Sequence, residues 1–225
     1  MPAALAGSSL QLRAMTVGHG CGYSSRAFNA AVMAYFGHDG DELSDRCRTY
    51  EDEVRTKLDA ILAPGDVLAV ATATYKFFGK KSRDGFAYDD YLRDLNFDVA
   101  FLEERAAFAA ARNASFVVLS DGPLFETHGQ SCLKTGRPCL VDPASAPRGR
   151  NASDAALAGV PGALFFDPMP AFCNATACTP WIAGGAMGYW DYDHVTLEGA
   201  LHVAPALAAF LREAGVIDAA ACPGR

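Results

Sequence analysis

The stretch SFVVLS, residues Ser115 to Ser120, is a short apolar run, and two similar runs flank it along the chain. They are DVLAVA at Asp66 to Ala71 and ALFF at Ala163 to Phe166. Uninterrupted apolar runs of this length are typical of strands that are buried on both faces of a parallel sheet. Longer segments with helical periodicity separate them, and this alternation predicts an α/β fold.

The helical segments are identified by apolar residues that recur at spacings of three and four. We expect helices over Ala27 to Phe36, Tyr50 to Leu62, Asn96 to Arg112 and Leu197 to Ala214, and a weaker strand over Leu12 to Val17. Residues 121–162 show little periodicity, so we interpret them as a long irregular insertion with a functional role or a disulfide tether. No repeat or shift of composition divides the chain, which predicts one domain over residues 1–225.

Composition and charge restrict the class of function. The 225 residues are 51% hydrophobic and 20% charged, which is typical of a globular domain and excludes a disordered or coiled-coil protein. The formal charge is −7 and neither sign forms a block of five or more, so no nucleic-acid partner is expected. No apolar run approaches the roughly 18 to 20 residues that a membrane-spanning helix needs.

Six of the seven cysteines fall into three couples that are close in the sequence. The couples are Cys21 with Cys47, Cys132 with Cys139, and Cys173 with Cys178, which leaves Cys222 over. None has the C-x-x-C spacing of a zinc site and only His128 lies near a close couple, so we favour disulfides and expect no metal. Six cysteines allow about 15 pairings, so pairing between neighbours is a hypothesis.

Three N-x-S/T sequons point to the same compartment as the cysteines. They begin at Asn113, Asn151 and Asn174 and are candidate glycosylation sites. Together with disulfides they favour the lumen of the secretory pathway or the extracellular space. The sequence begins without a recognisable signal peptide, so we expect the natural N-terminus to lie upstream of Met1.

The residues with the clearest chemical potential lie in YWDYDHVTLEGA, residues Tyr189 to Ala200, directly before the last helix. An Asp three residues before a His can turn its carboxylate onto one ring nitrogen, which leaves the other nitrogen to act as a general base. Asp191 and His194 have this spacing. The alternative is that Asp191 or Asp193 only solvates the loop while His194 and Thr196 cap the helix.

This stretch resembles the C-terminal block of the SGNH/GDSL hydrolases, and most closely that of extracytoplasmic SGNH domains that follow membrane-bound acyltransferase-3 modules. The pattern D-x-x-H-L-S-x-x-G-A is matched from Asp191 to Ala200, with Val195 for Leu and Thr196 for Ser. Looser similarity covers residues 65–69, 117–119 with Pro123, and 173–178. The resemblance implies a flavodoxin-like three-layer sandwich with a parallel sheet, the SGNH hydrolase fold, whose first strand is very short or missing here.

The resemblance also implies a Ser, His and Asp triad, in which His194 and Asp191 take the last two roles. The nucleophile would be Ser9, because Gly7-Ser8-Ser9-Leu10 matches the family's Gly-Asp-Ser-Leu with Ser in place of Asp. The alternative is that residues 7–9 play no part in catalysis and that the motif lies upstream in a longer chain.

Backbone N–H groups at glycine-rich turns are the usual oxyanion donors, and Gly20 is one candidate. By position in the family pattern, Thr74 and Tyr75 are the others. The Asn or Trp expected in that block is absent, and Tyr75 could instead be hydrophobic cover.

The activity implied is that of an O-acyltransferase domain that moves an acetyl group to a carbohydrate, with no cofactor. Its partners would be a carbohydrate or acyl-ester substrate and a membrane acyltransferase module upstream, which would tether it to the membrane. A carbohydrate O-acetylesterase of the same fold and a glycan-binding remnant without catalysis are the alternatives, because transfer and hydrolysis share the acyl-enzyme intermediate.

Overall fold

A three-stranded parallel sheet organises the chain. This computed structural model describes residues 40–71, 88–123, 125, 129–136, 139–141, 150–191 and 194–217. The strands are β1 (Val67–Ala71), β2 (Ser115–Leu119) and β3 (Ala163–Phe166), in the order β1-β2-β3. Val118 of β2 lies opposite Val70 on one side and Phe165 on the other. The three predicted strands are confirmed, and their parallel pairing confirms the α/β prediction.

Five α-helices are present in the described part of the chain. They are α1 (Gly40–Ile61), α2 (Tyr88–Ala110), α3 (Gly129–Thr135), α4 (Arg150–Ala158) and α5 (Leu197–Glu213). Short 3₁₀ turns lie at Met169–Ala171 and Ala183–Gly185. Of the described helices, none is both long and apolar enough to cross a bilayer.

The predicted helix over Leu197 to Ala214 is confirmed by α5, which also begins at Leu197, whereas two other helices were predicted too short at their N-terminal ends. Helices α1 and α2 end close to the predicted positions, but they begin at Gly40 and Tyr88 rather than at Tyr50 and Asn96. Both extensions contain several Asp residues, which favour a helix N-terminus electrostatically. Apolar residues at helical spacing, among them Tyr91, Leu92 and Leu95, also continue into the extension of α2, so its earlier start could have been recognised. The predicted helix over residues 27–36 and the weak strand over residues 12–17 lie outside the described residues.

The sheet and two helices enclose the first of two hydrophobic clusters. Phe116, Val117 and Val118 of β2 are at most 2% exposed, so β2 is buried on both faces. Leu102 of α2 and Leu157 of α4 pack in the same cluster. Each side chain of this size stabilises the fold by roughly 1.5–3 kcal/mol when it leaves water.

The prediction of an irregular insertion over residues 121–162 requires a correction. The segment contains α3 and α4. Helix α4 spans only nine residues and buries Ser153 and Leu157, which lie one helical turn apart. Two inward positions in so short a helix are too few to produce a recognisable periodicity, so the sequence pattern gave no signal.

Two of the three predicted disulfides are confirmed. Cys132 of α3 bonds to Cys139 in the segment that follows the helix, and Cys173 bonds to Cys178 within the segment that leads to the candidate site. Cys132 and Cys178 are at most 1% exposed. The pairing of Cys21 with Cys47 stays a prediction, because Cys21 lies outside the described residues.

Candidate active site

Asp191 and His194 are joined by two hydrogen bonds in the loop before α5. Asp191 Oδ2 lies 2.8 Å from His194 Nδ1, and Asp191 Oδ1 accepts a hydrogen bond of 2.8 Å from the backbone N–H of His194. An ionised carboxylate only accepts hydrogen bonds, so Nδ1 of a neutral imidazole must carry the proton. This tautomer leaves the lone pair on Nε2, the state that a general base requires.

The two members of the pair differ in exposure. The Asp191 side chain is 20% exposed, whereas the His194 side chain is 67% exposed. The ring borders an open cleft of about 660 Å³, which is in the size range of small-molecule sites. Its lining residues are Ala186, Met187, Trp190, His194, Val195, Thr196, Leu197 and Glu198.

Thr196 ends the loop and begins α5. It is the N-cap residue, and its side chain accepts a hydrogen bond of 3.0 Å from the N–H of Gly199. Its hydroxyl also donates to the Met187 carbonyl oxygen at 2.6 Å. The capping role predicted for Thr196 is confirmed, whereas the described bonds of the His194 side chain run to Asp191 rather than to the helix.

Gly199, the glycine of the D-x-x-H-L-S-x-x-G-A pattern, is needed for a steric reason. At Gly199 an added Cβ would overlap the carbonyl oxygen of Gly188, whose backbone lies against the first turn of α5. The same carbonyl oxygen accepts a hydrogen bond of 2.9 Å from the N–H of Thr196. A side chain at position 199 would therefore push the segment that precedes Asp191 away from the helix.

Tyr189 holds the site loop against the sheet. Its ring is 1% exposed and makes edge contacts with Phe125 and Phe172, each at a centroid distance of 4.9 Å. Its hydroxyl occupies the space into which a Cβ at Gly122 would project. Gly122 follows the end of β2 at Leu119, so the loop lies at the carboxyl end of a parallel strand, where α/β folds place their ligands.

The other residues predicted for the site are not described by the structure. Ser9, Gly20, Thr74 and Tyr75 all lie outside the described residues, as does Asp193. The structure therefore brings together two of the three predicted triad members and leaves the nucleophile and the oxyanion donors as predictions. Within the described ranges, no group of three or more His, Cys, Asp or Glu residues could hold a metal ion.

Sequence reasoning did not assign a role to the apolar residues that border the cleft. Trp190, Val195 and Leu197 are 54%, 45% and 56% exposed. A signal was available for Trp190, because neighbouring residues of an extended segment point to opposite sides. Tyr189, which pairs with Val195 in an antiparallel bridge, is buried. Trp190 was therefore to be expected on the outer side.

Comparison with known proteins agrees with the fold and the motif. The family model described as "SGNH domain (fused to AT3 domains)" matches residues 3–209. The chain belongs to this SGNH family. The resemblance inferred from the C-terminal block is therefore confirmed.

A solved structure supports the same fold for the SGNH domain. It is the periplasmic domain of the lipopolysaccharide acetyltransferase of Salmonella ser. Paratyphi A, with a TM-score of 0.53 and 12% sequence identity. The match covers 83% of this chain and 78% of the Salmonella chain. No curated protein matches the sequence.

The N-cap of α5 gives a prediction about the stability of the site. Thr196→Ala removes the side-chain bonds to Gly199 and Met187 and should lower the free energy of unfolding by about 1–2 kcal/mol. Thr196→Ser keeps the hydroxyl and should stay close to the wild type. Urea unfolding of the three proteins measures this, and equal midpoints for Thr196→Ala and wild type would contradict the capping role.

Proposed function

We propose that this SGNH domain transfers an acyl group, in the simplest case acetyl, to a carbohydrate hydroxyl through a Ser-His-Asp acyl-enzyme mechanism. The observation that carries the proposal is the hydrogen-bonded pair of Asp191 and His194 at the edge of an open cleft. Family membership supports it, because the model that matches describes domains fused to AT3 domains.

In the proposed first step, Ser9 is the nucleophile. Its Oγ attacks the carbonyl carbon of the ester donor while His194 Nε2 takes the hydroxyl proton. The tetrahedral intermediate then expels the donor alcohol, which receives that proton from the imidazolium. Backbone N–H groups near Gly20, with Thr74 and Tyr75, would stabilise the oxyanion.

In the second step the acceptor replaces the donor. A sugar hydroxyl gives its proton to Nε2 and attacks the acyl-enzyme carbonyl carbon, and the bond to Ser9 Oγ breaks as the serine recovers the proton. Asp191 stays ionised throughout and stabilises the imidazolium that forms twice in the cycle. Its bond to Nδ1 keeps the ring from rotating between the steps, and its second bond, accepted from the backbone N–H of His194, holds the carboxylate in place.

Hydrolysis is the second candidate activity and has its own supporting observation. The His194 side chain is 67% exposed at an open cleft, so water can reach the same position as a sugar hydroxyl. A carbohydrate O-acetylesterase would use the same acyl-enzyme with water as the acceptor. The ratio of acetylated sugar to free acetate formed from one donor separates the two activities.

We further propose that the domain works outside the cytoplasm, connected to a membrane acyltransferase module. The two disulfides are typical of an oxidising compartment. Of the candidate glycosylation sites, Asn113 and Asn174 are exposed, whereas Ser153 of the Asn151 sequon is 1% exposed. A glycan at Asn113 or Asn174 would therefore project into solvent.

The catalytic pair is tested by substitutions that separate proton transfer from orientation. His194→Ala should lower the turnover of a chromogenic acetyl ester by roughly 10²- to 10⁴-fold, because no base remains. Asp191→Asn should lower it by roughly 10³- to 10⁴-fold, because the amide N–H faces Nδ1 and favours the wrong tautomer. Steady-state kinetics measure both, and near wild-type activity of either variant would refute the pair.

His202 provides a matched control for the loss of a histidine. It lies on α5, and its Nε2 atom is 2.8 Å from the carbonyl oxygen of Ala171. His202→Gln can keep a hydrogen bond to that oxygen and should turn over the ester at the wild-type rate. An equal loss of activity in His202→Gln and His194→Ala would indicate a general structural effect rather than catalysis.

Covalent labelling of variants at two adjacent serines, Ser8 and Ser9, tests which residue is the nucleophile. A fluorophosphonate probe should form a covalent adduct on Ser9, with loss of fluoride, and peptide mass spectrometry identifies the labelled residue. Ser9→Ala should abolish labelling, whereas Ser8→Ala should retain it. An adduct on another serine, or equal labelling of both variants, would reject Ser9 as the nucleophile.

A further inference from the structure

The exposed apolar side chains of the described residues are concentrated at the candidate site. Among the residues whose burial is described, five large hydrophobic ones are exposed, and three of them, Trp190, Val195 and Leu197, line the cleft beside His194. Scattered exposed apolar residues are normal, but a contiguous group at a cleft marks a binding surface. The mechanism described above uses none of these three side chains.

Trp190 has a fixed position relative to the catalytic pair. Its backbone N–H donates a hydrogen bond of 2.8 Å to the carbonyl oxygen of His194. The preceding residue, Tyr189, is buried in the cluster below the loop. The backbone that carries the indole is therefore held by the bond to His194 and by the buried Tyr189. The indole borders the same cleft as the imidazole.

The charges at the cleft are unfavourable for an anionic ligand. Among the described residues that line the cleft, Glu198 is the one carboxylate and none is Lys or Arg. Asp191 adds a second negative charge directly behind His194. The whole chain carries a formal charge of −7, so repulsion of anions is reinforced over longer distances.

We propose that Trp190 is the stacking platform for an uncharged sugar residue of the acyl acceptor, with Glu198 accepting hydrogen bonds from its hydroxyl groups. This inference rests on the proposed function and names the acceptor subsite of the same cleft. Trp190 is a specificity-determining residue in this account. It takes no part in proton transfer, and its contribution is to hold the acceptor hydroxyl near His194.

A sugar ring fits this surface better than a long acyl chain does. An alkyl chain gains most when it is enclosed on all sides, because the gain is proportional to the apolar area removed from water. Trp190 and Leu197 instead remain more than half exposed beside an open cleft. A pyranose needs only one apolar face, whose slightly positive C–H groups meet the negative face of the indole.

The test measures binding without turnover, so that it does not depend on the proposed catalysis. The chain contains two tryptophans, Trp181 and Trp190. In the double variant Trp181→Phe with His194→Ala, the emission reports Trp190 alone and no ester is consumed. The probes are neutral tetrasaccharides of glucose, xylose and mannose, together with tetragalacturonic acid and its fully methyl-esterified form.

The expected result is a saturable change of Trp190 fluorescence with at least one neutral tetrasaccharide. Tetragalacturonic acid should bind several-fold more weakly than its methyl ester, and Glu198→Gln should reduce that difference. Binding measured by calorimetry should weaken about tenfold in Trp190→Ala, equivalent to about 1.4 kcal/mol. The surface control Leu133→Ala, 62% exposed and outside the cleft lining, should bind as the wild type does.

Three results would overturn the inference. The first is that no neutral sugar binds, and the second is that Trp190→Ala binds as tightly as the parent. The third is that Trp190→Ala changes the preference between acetyl and hexanoyl esters without affecting sugar binding, which would make the cleft an acyl groove. Ester turnover by the wild type together with any of these results would reject the subsite while leaving the proposed function intact.

Discussion

The burial of Tyr189 is the constraint on which the geometry of the site depends. The ring lies between Phe125 and Phe172 and its hydroxyl lies over Gly122. Removing a ring of this kind from water contributes roughly 1.5–3 kcal/mol. It fixes one end of a loop whose other end is fixed by the N-cap of α5, so the short segment between them has little freedom. The two hydrogen bonds between Asp191 and His194 form within that segment.

The second hydrophobic cluster connects this loop to the rest of the chain. Phe125 comes from the segment after β2, Phe172 and Cys178 from the segment after β3, and Val203 from α5. The disulfide between Cys173 and Cys178 closes one side of the cluster. Three separate parts of the sequence thus support one loop, which is how a small α/β domain can place exposed polar groups accurately. The loop and its polar groups lie at the carboxyl ends of the strands.

Much of this arrangement was predictable from short-range signals in the sequence. The three strands were recognisable because buried parallel strands are continuously apolar, and the pairing of Asp191 with His194 followed from their spacing before a helix. Gly199 of the family pattern is required because the backbone of Gly188 lies close to the first turn of α5. Local chemistry of this kind is encoded in neighbouring residues and requires no knowledge of the fold.

Features that depend on contacts between distant segments were not predictable. Helix α4 buries two positions among its described side chains, Ser153 and Leu157, which is too few for a recognisable periodicity. Alternation along an extended segment predicts that Tyr189 and Trp190 point to opposite sides, but the burial of Tyr189 in the aromatic cluster decides which of the two faces solvent. A sequence pattern identifies which residues have the chemistry, whereas tertiary packing decides which of them face the substrate.

The proposed catalysis requires that Asp191 hold the His194 imidazole as the Nδ1–H tautomer, with the lone pair on Nε2. Long-range ¹H–¹⁵N NMR of the ring tests this directly, at a pH where the imidazole is neutral and with His194→Ala to assign its signals among the five histidines. We expect a protonated Nδ1 and an unprotonated Nε2 for His194. A ring that is protonated on Nε2, as free imidazole side chains prefer, would contradict it.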